Sequence, residues 1–159
     1  LFTPLGPEDI VTGEVMWAAT RATISAAAVL LTAVAFGLID SPYVVFAIPT
    51  AYLIGFSIGA VAMILTATAT TIGAMNNFFT LFILPMFYVS GVFFPLDRLP
   101  EWVQIATWAL PLTPAAALVR GLATGDLSWW MAAWVLELVA VSLIALKLAT
   151  YFMGRRLIK

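Results

Sequence analysis

Two ionisable side chains, Glu137 and Lys147, stand inside an otherwise apolar stretch near the C-terminal end of the sequence. Measured back from Arg155 at 1.5 Å per helical residue, Lys147 lies about 12 Å along and Glu137 about 27 Å along. Lys147 is therefore placed to extend its stem to a membrane interface. Glu137 would lie about a turn or two inside the outer interface. A carboxylate in such a place serves as a proton relay, a cation site or a partner for a polar substrate. The alternative is a structural one, a hydrogen bond to external-loop groups such as Arg98 or Arg120, and it is the preferred reading. The ten-residue gap argues against a direct Glu137–Lys147 pair.

Asp97 and Glu101, four apart, could act as a general acid and base. No nucleophile or metal ligand accompanies them, so turn and cap roles fit better. Ser25, Ser57, Ser90 and Ser142 have no histidine to activate them, because the chain has neither histidine nor cysteine. Thiolate and imidazole metal sites and Ser/His or Cys/His nucleophiles are thereby excluded. The serines read instead as small residues that let membrane helices approach. Gly55, Ser57 and Gly59, in GFSIG, suggest close helix packing, with a subunit contact as one use. Phe78, Phe79, Phe82, Phe87 and Tyr88 could line an apolar route, though lipid-facing or core packing is the simpler account. No Gly-rich phosphate loop is present, so ATP would have to be hydrolysed by another polypeptide.

The elements that hold these residues follow from composition. Of 159 residues 64% are hydrophobic and 9% are charged, against about 45–50% and about 25% in soluble domains. The bilayer is the solvent that suits such a chain. Net charge is −1, which gives nucleic acid nothing to bind. The chain begins Leu1-Phe2-Thr3-Pro4, without a methionine or a signal peptide, and reads as a piece of a longer protein.

The polar segment 1–14 precedes a first span at 15–39, interrupted only by Arg21, which can snorkel. Pro7 followed by Glu8 and Asp9 suits the first turn of a helix. Asp40-Ser41-Pro42 is a turn. The next 56 positions, 41–96, carry no charge, about 84 Å as a single helix, so the chain must fold back. A break at TATATTIGAMNN, 66–77, leaves spans at 44–65 and 77–92, with Pro49 and Pro85 kinking them. Segment 93–127 holds four prolines and two short helices, Pro100–Leu110 and Pro114–Ala123, the latter ending near Gly125. In the first of these, Trp102, Ile105, Ala106 and Ala109 share a face suited to an interface. A last span, 128–153, opens on Trp129 and Trp130 and closes on Arg155, Arg156 and Lys159. That cationic end is expected to be cytoplasmic, which puts 93–127 outside. The fold class is all-α, a polytopic membrane protein of four transmembrane helices plus an external re-entrant helix pair.

Three stretches in order carry a family resemblance: TPLGPEDIVTGEVMWAATRA (3–22), LFILPMFYVSGVFFPLDRLPEWVQ (81–104) and ALPLTPAAALVRGL (109–122). The chain resembles the permease subunits of type-2 ABC transporters, and most closely their nodulation-type lipo-oligosaccharide exporter branch. The resemblance implies the last four helices of a six-helix permease in the bacterial inner membrane, multi-pass. Two protomers and two ATP-binding cassette subunits would work together, with no cofactor and no metal. Leu5, Glu8, Asp9 and Glu14 would couple to the ATPase. Arg21, Glu137 and Lys147 are the intramembrane polar residues, and Pro95, Asp97, Arg98, Glu101 and Arg120 belong to the external re-entrant loop. The function implied is export of an amphipathic substrate such as a lipo-oligosaccharide, a polysaccharide-lipid or a drug, among membrane lipids, without enzymatic chemistry in this chain. The rivals are an intramembrane lipid-modifying enzyme using Glu137 or the Asp97/Glu101 pair, and a membrane assembly subunit that transports nothing.

Overall fold

The computed structural model describes residues 6–39, 41–69, 71, 73, 76, 77, 79–92, 100–108 and 110–157. Its first helix, α1, runs unbroken from Pro7 to Ala35, 29 residues or about 43 Å. The polar start and the first apolar stretch are thus one helix. Pro7 opens it, where a missing N–H costs nothing. The Asp9 carboxylate accepts the Gly6 N–H at 2.8 Å. Gly6 has no side chain to return that bond, so this is half of a capping box. At the far end Gly37, at φ 66°, receives the chain in the left-handed region. The Leu38 N–H donates to the Ala33 carbonyl and the Gly37 N–H to the Val34 carbonyl, both at 3.0 Å. That pairing stops the helix and satisfies its last carbonyls.

A 3-10 turn, Pro42–Phe46, leads into α2, Ala47–Thr68. Pro49 falls in the first turn of α2 rather than in the middle of a span. Further on, five residues of π geometry, Phe79–Ile83, pass into six of α3, Leu84–Val89. The change of register comes directly before Pro85, whose ring and missing N–H disrupt an α ladder. Gly91, at φ 81°, turns the chain away. Two shorter helices follow, α4 (Glu101–Trp108) and α5 (Leu112–Thr124), bent 87° to one another. Pro100 precedes α4, and Gly125 at φ 77° caps α5. The last helix, α6, covers Trp130–Leu157, 28 residues.

Among the described residues three helices are long and apolar enough to cross a membrane: Pro7–Ala35, Pro42–Thr68 and Trp130–Arg155. The bent α4–α5 pair makes a fourth if counted as one span. The architecture is all-helical and polytopic. Large apolar side chains face outward all along it, with Leu31, Phe36 and Leu38 each 76% exposed. In water such a surface would aggregate, whereas in hydrocarbon it is the natural covering. The threonines obey the same solvent. Thr20, Thr23, Thr32 and Thr50 each donate to the carbonyl four residues back, at 2.8 Å, so these hydroxyls are satisfied within their own helices.

Helix α2 lies between α1 and α6. Val11 and Val15 of α1 meet Ala60 of α2 and Ala145 and Ala149 of α6 in one buried cluster. Ala115 and Leu118 of α5 meet Leu138 of α6 in a second, flanked by Leu53 and Ile54 of α2. One is built mainly of small residues and the other anchors the bent pair to the bundle.

Candidate functional site

Close helix contacts are made by glycines and serines on opposite sides of α2. On one side, a Cβ added at Gly55 would stand 2.7 Å from the Ala22 Cβ and 3.0 Å from the Ala19 Cα. At Gly59 it would stand 3.2 Å from the Ala18 Cβ. Only glycine lets the α1 backbone come this near. GFSIG is therefore a packing face within the chain, directed at α1.

Ser57, between these glycines in sequence, is turned about 200° from Gly55 at 100° per residue and meets α6. Its hydroxyl lies 2.5 Å from that of Ser142, 3.0 Å from the Leu138 carbonyl and 3.0 Å from its own Leu53 carbonyl. The Ser142 hydroxyl reaches the Leu138 carbonyl at 2.6 Å. Both serines are at most 3% exposed. Two protons serve four short contacts, so the pair forms a polar clasp between α2 and α6 with no hydroxyl left over. No base touches either hydroxyl among the described residues, and the clasp holds helices together instead of making a nucleophile. Sequence reading placed both serines in helix contacts but did not join them. The two-residue offset between Gly55 and Ser57, which puts them on different faces, was the available signal.

The charged residues do not gather into one site. Glu8, Asp9 and Glu14 are exposed on the first two turns of α1, beside the buried Val11 and Val15. Asp9 is committed to the helix start. Arg21 is exposed on the same face as Glu14, two turns on. With Ser25 it lines a groove of about 340 Å³ between α1 and α2, floored by Gly55 and Gly59. Neither the Arg21 guanidinium nor the Ser25 hydroxyl has a hydrogen-bond or ion-pair partner among the described residues.

On α6, Glu137 is partly exposed and Lys147 exposed, and neither side chain is paired among the described residues. The anticipated bond from Arg120 to Glu137 is not formed. The Arg120 guanidinium donates to the Gly91 carbonyl instead, tying α5 to the turn after α3, because a carbonyl freed where a helix ends needs a donor. Glu101 is exposed at the start of α4. Leu5, Pro95, Asp97 and Arg98 lie outside the described residues, as do Arg156's side chain and Lys159. Of the aromatic set, Phe87 and Tyr88 are 42% and 50% exposed. Phe78 and the side chains of Phe79 and Phe82 lie outside the description.

Aromatic contacts fix the end of the molecule that carries α4. Trp108 stacks on Trp134 of α6, with centroids 5.7 Å apart, and Trp129 lies against Trp130 at 4.4 Å. At the other end of α6 the Arg155 guanidinium sits 5.3 Å from the Tyr151 ring centroid, a cation held against an aromatic face. Tryptophan at one end and arginine over tyrosine at the other is the arrangement of a helix anchored at both membrane interfaces.

The model of the ABC-2 type transporter family matches residues 1–123. Nodulation protein J of Sinorhizobium fredii is 39% identical over 120 residues, 76% of this chain and 46% of that protein. The protein of the same name from Rhizobium leguminosarum bv. trifolii is 33% identical over 159 residues, 100% of this chain and 61% of its own length. That from Rhizobium meliloti is 31% identical over 157 residues, 99% of this chain and 60% of its own. The chain thus spans about half to three fifths of the length of these relatives. No solved structure matches it. A family match over more than three quarters of the sequence, on a bundle built for hydrocarbon, makes this chain a member of the ABC-2 type transporter family.

Proposed function

We propose that this chain is the larger part of a permease subunit of an ATP-driven exporter in the bacterial inner membrane. Its substrate is amphipathic: a lipo-oligosaccharide, a polysaccharide-lipid or a drug-like molecule. The observation that carries the reading is the family match over 1–123 joined to relatives that all bear the name nodulation protein J. A cassette subunit hydrolyses ATP, and a second permease protomer completes the pathway. Arg155, Arg156 and Lys159 put the C-terminus in the cytoplasm by the positive-inside rule, and the N-terminus of α1 with it. The bent α4–α5 pair then lies on the outer side.

Mechanically, α1 is the lever. Its first turns present Glu8 and Glu14 to the aqueous side, and the ATP-binding subunit bears on them. Closure of that subunit tilts α1 only if it contacts one state of the permease better than the other. The tilt passes to α2 because Gly55 and Gly59 leave no slack against Ala18, Ala19 and Ala22. It passes on to α6 through the Ser57–Ser142 clasp. Three helices shift as a block, and the pathway opens at the edge of that block.

Charge reversal at Glu8 and Glu14 tests the reading. With both changed to lysine, the ATPase activity that substrate stimulates in the partner subunit is expected to fall on the order of tenfold. The permease should still insert and remain helical, since neither residue is buried. Undiminished stimulation in the double variant would contradict the coupling role.

A further inference from the structure

The groove between α1 and α2 is lined by Ala18, Arg21, Ser25, Ile54, Ile58 and Ala62. Its position in the bilayer can be worked out from α1 alone. A hydrocarbon layer of about 30 Å takes roughly 20 helical residues, and counting back from the Gly37 turn brings the opposite boundary to the neighbourhood of Trp17. Trp17 is 61% exposed, and an amphipathic ring on a helix surface marks that boundary. Arg21 is one turn deeper.

Side chains on a helix lean toward its N-terminus, so the Arg21 guanidinium points back to the headgroup level rather than into the acyl chains. There it finds no anion among the described residues. Glu14 shares its face but lies seven residues away, about 10.5 Å along the axis. A guanidinium at a lipid boundary beside a groove of apolar walls needs an anionic partner with an apolar tail.

We propose that this groove binds one anionic glycerophospholipid from the leaflet at the N-terminal end of α1. The phosphate takes the forked guanidinium of Arg21, a planar donor that fits two phosphate oxygens. Ser25, about 6 Å deeper, donates its hydroxyl to a glycerol ester carbonyl. One acyl chain lies along Ile58 and Ile54. At Gly55 and Gly59 the two helices are closed against each other through Ala18, Ala19 and Ala22, so the acyl chain lies along the groove and does not enter between them. The site depends only on residence in the bilayer and is separate from coupling to ATP, so its failure would leave the exporter reading standing, and the reverse.

The test uses the full-length permease with its ATPase partner in lipid nanodiscs. Quenching of Trp17 is read as the difference between the wild type and Trp17→Phe, with brominated phosphatidylglycerol or brominated phosphatidylcholine at equal mole fractions. Half-quenching is expected at a roughly fivefold lower fraction of phosphatidylglycerol, the preference that one interfacial cation confers. Arg21→Gln should remove the preference and Arg21→Lys should keep most of it. Soluble glycerol phosphate should not relieve the quenching, since the tail is half of the ligand. Equal quenching by the two lipids in the wild type would overturn the proposal, as would a preference that survives in Arg21→Gln. Protection of Trp17 from both lipids, which would mean that other spans of the protein fill the groove, would also overturn it.

Discussion

The two halves of α1 are built to different rules. In the N-terminal half Val11, Val15 and Ala19 are wholly buried, at 0% exposure, while beyond Ala19 no residue of the helix is buried. Composition does not explain this, because the buried half is the more polar one and carries Glu8, Asp9 and Glu14. What differs is the surface across from them. The N-terminal half faces Gly55, Gly59 and Ala60 of α2 and Ala145 and Ala149 of α6, where the absence of side-chain bulk lets backbones close up. The C-terminal half carries Val29, Leu31 and Val34 into open surroundings. In a bilayer greasiness alone does not bring helices together, since lipid tails are equally apolar. Small residues and polar clasps do.

That contrast can be broken most sharply at Gly55. Gly55→Leu has to place its Cβ where the Ala22 Cβ and the Ala19 Cα already stand. Prising α1 from α2 should cost about 3 kcal/mol or more, read as a lowered midpoint of unfolding in detergent and increased protease sensitivity of α1. The glycine that ends the other half is a milder case. Gly37→Ala introduces a side chain at φ 66° and should cost about 1 kcal/mol in the same measurement.

The clasp comes next. Ser57→Ala removes the hydroxyl that joins α2 to α6, yet Ser142 keeps the Leu138 carbonyl. The loss should be about 0.6 kcal/mol and no more than roughly 1.7. A double-mutant cycle with Ser142→Ala should return a coupling of the same size, and independent effects would deny the clasp. Leu31→Ala, at 76% exposure, should change stability by less than about 0.5 kcal/mol. A larger loss there would mean that another protein segment covers this half.

Much of this was legible in the residues. The charge-free run from 41 to 96 and the greasy composition required a membrane bundle, and Gly125 marked the end of α5 as its lack of a Cβ allows. The start of α1 was only half legible. Pro7, Glu8 and Asp9 announced a helix, but nothing in them said that it would run on without a break into the apolar stretch. Gly13 alone is too weak a breaker to stop it. Pro85 announced a distortion but not its kind, since a π register arises from how neighbouring carbonyls find donors.

The site was less legible still. Helix partners are a property of pairs, and no single sequence records that Ser57 will face Ser142 while Gly55 faces Ala22. Arg120 illustrates the point. Its charge invited a carboxylate partner at Glu137, and the structure gave it the Gly91 carbonyl, a group every residue carries and no composition reveals.

The account depends most on which end of α6 lies on the ATPase side of the membrane. The chain contains no cysteine, so single cysteines can be introduced at Gly154 and at Asp126 without removing any native one. Labelling with a membrane-impermeant maleimide in intact cells should modify Asp126→Cys and spare Gly154→Cys until the cytoplasmic face is opened. Modification of Gly154→Cys from outside, or of both sites from the same side, would contradict it.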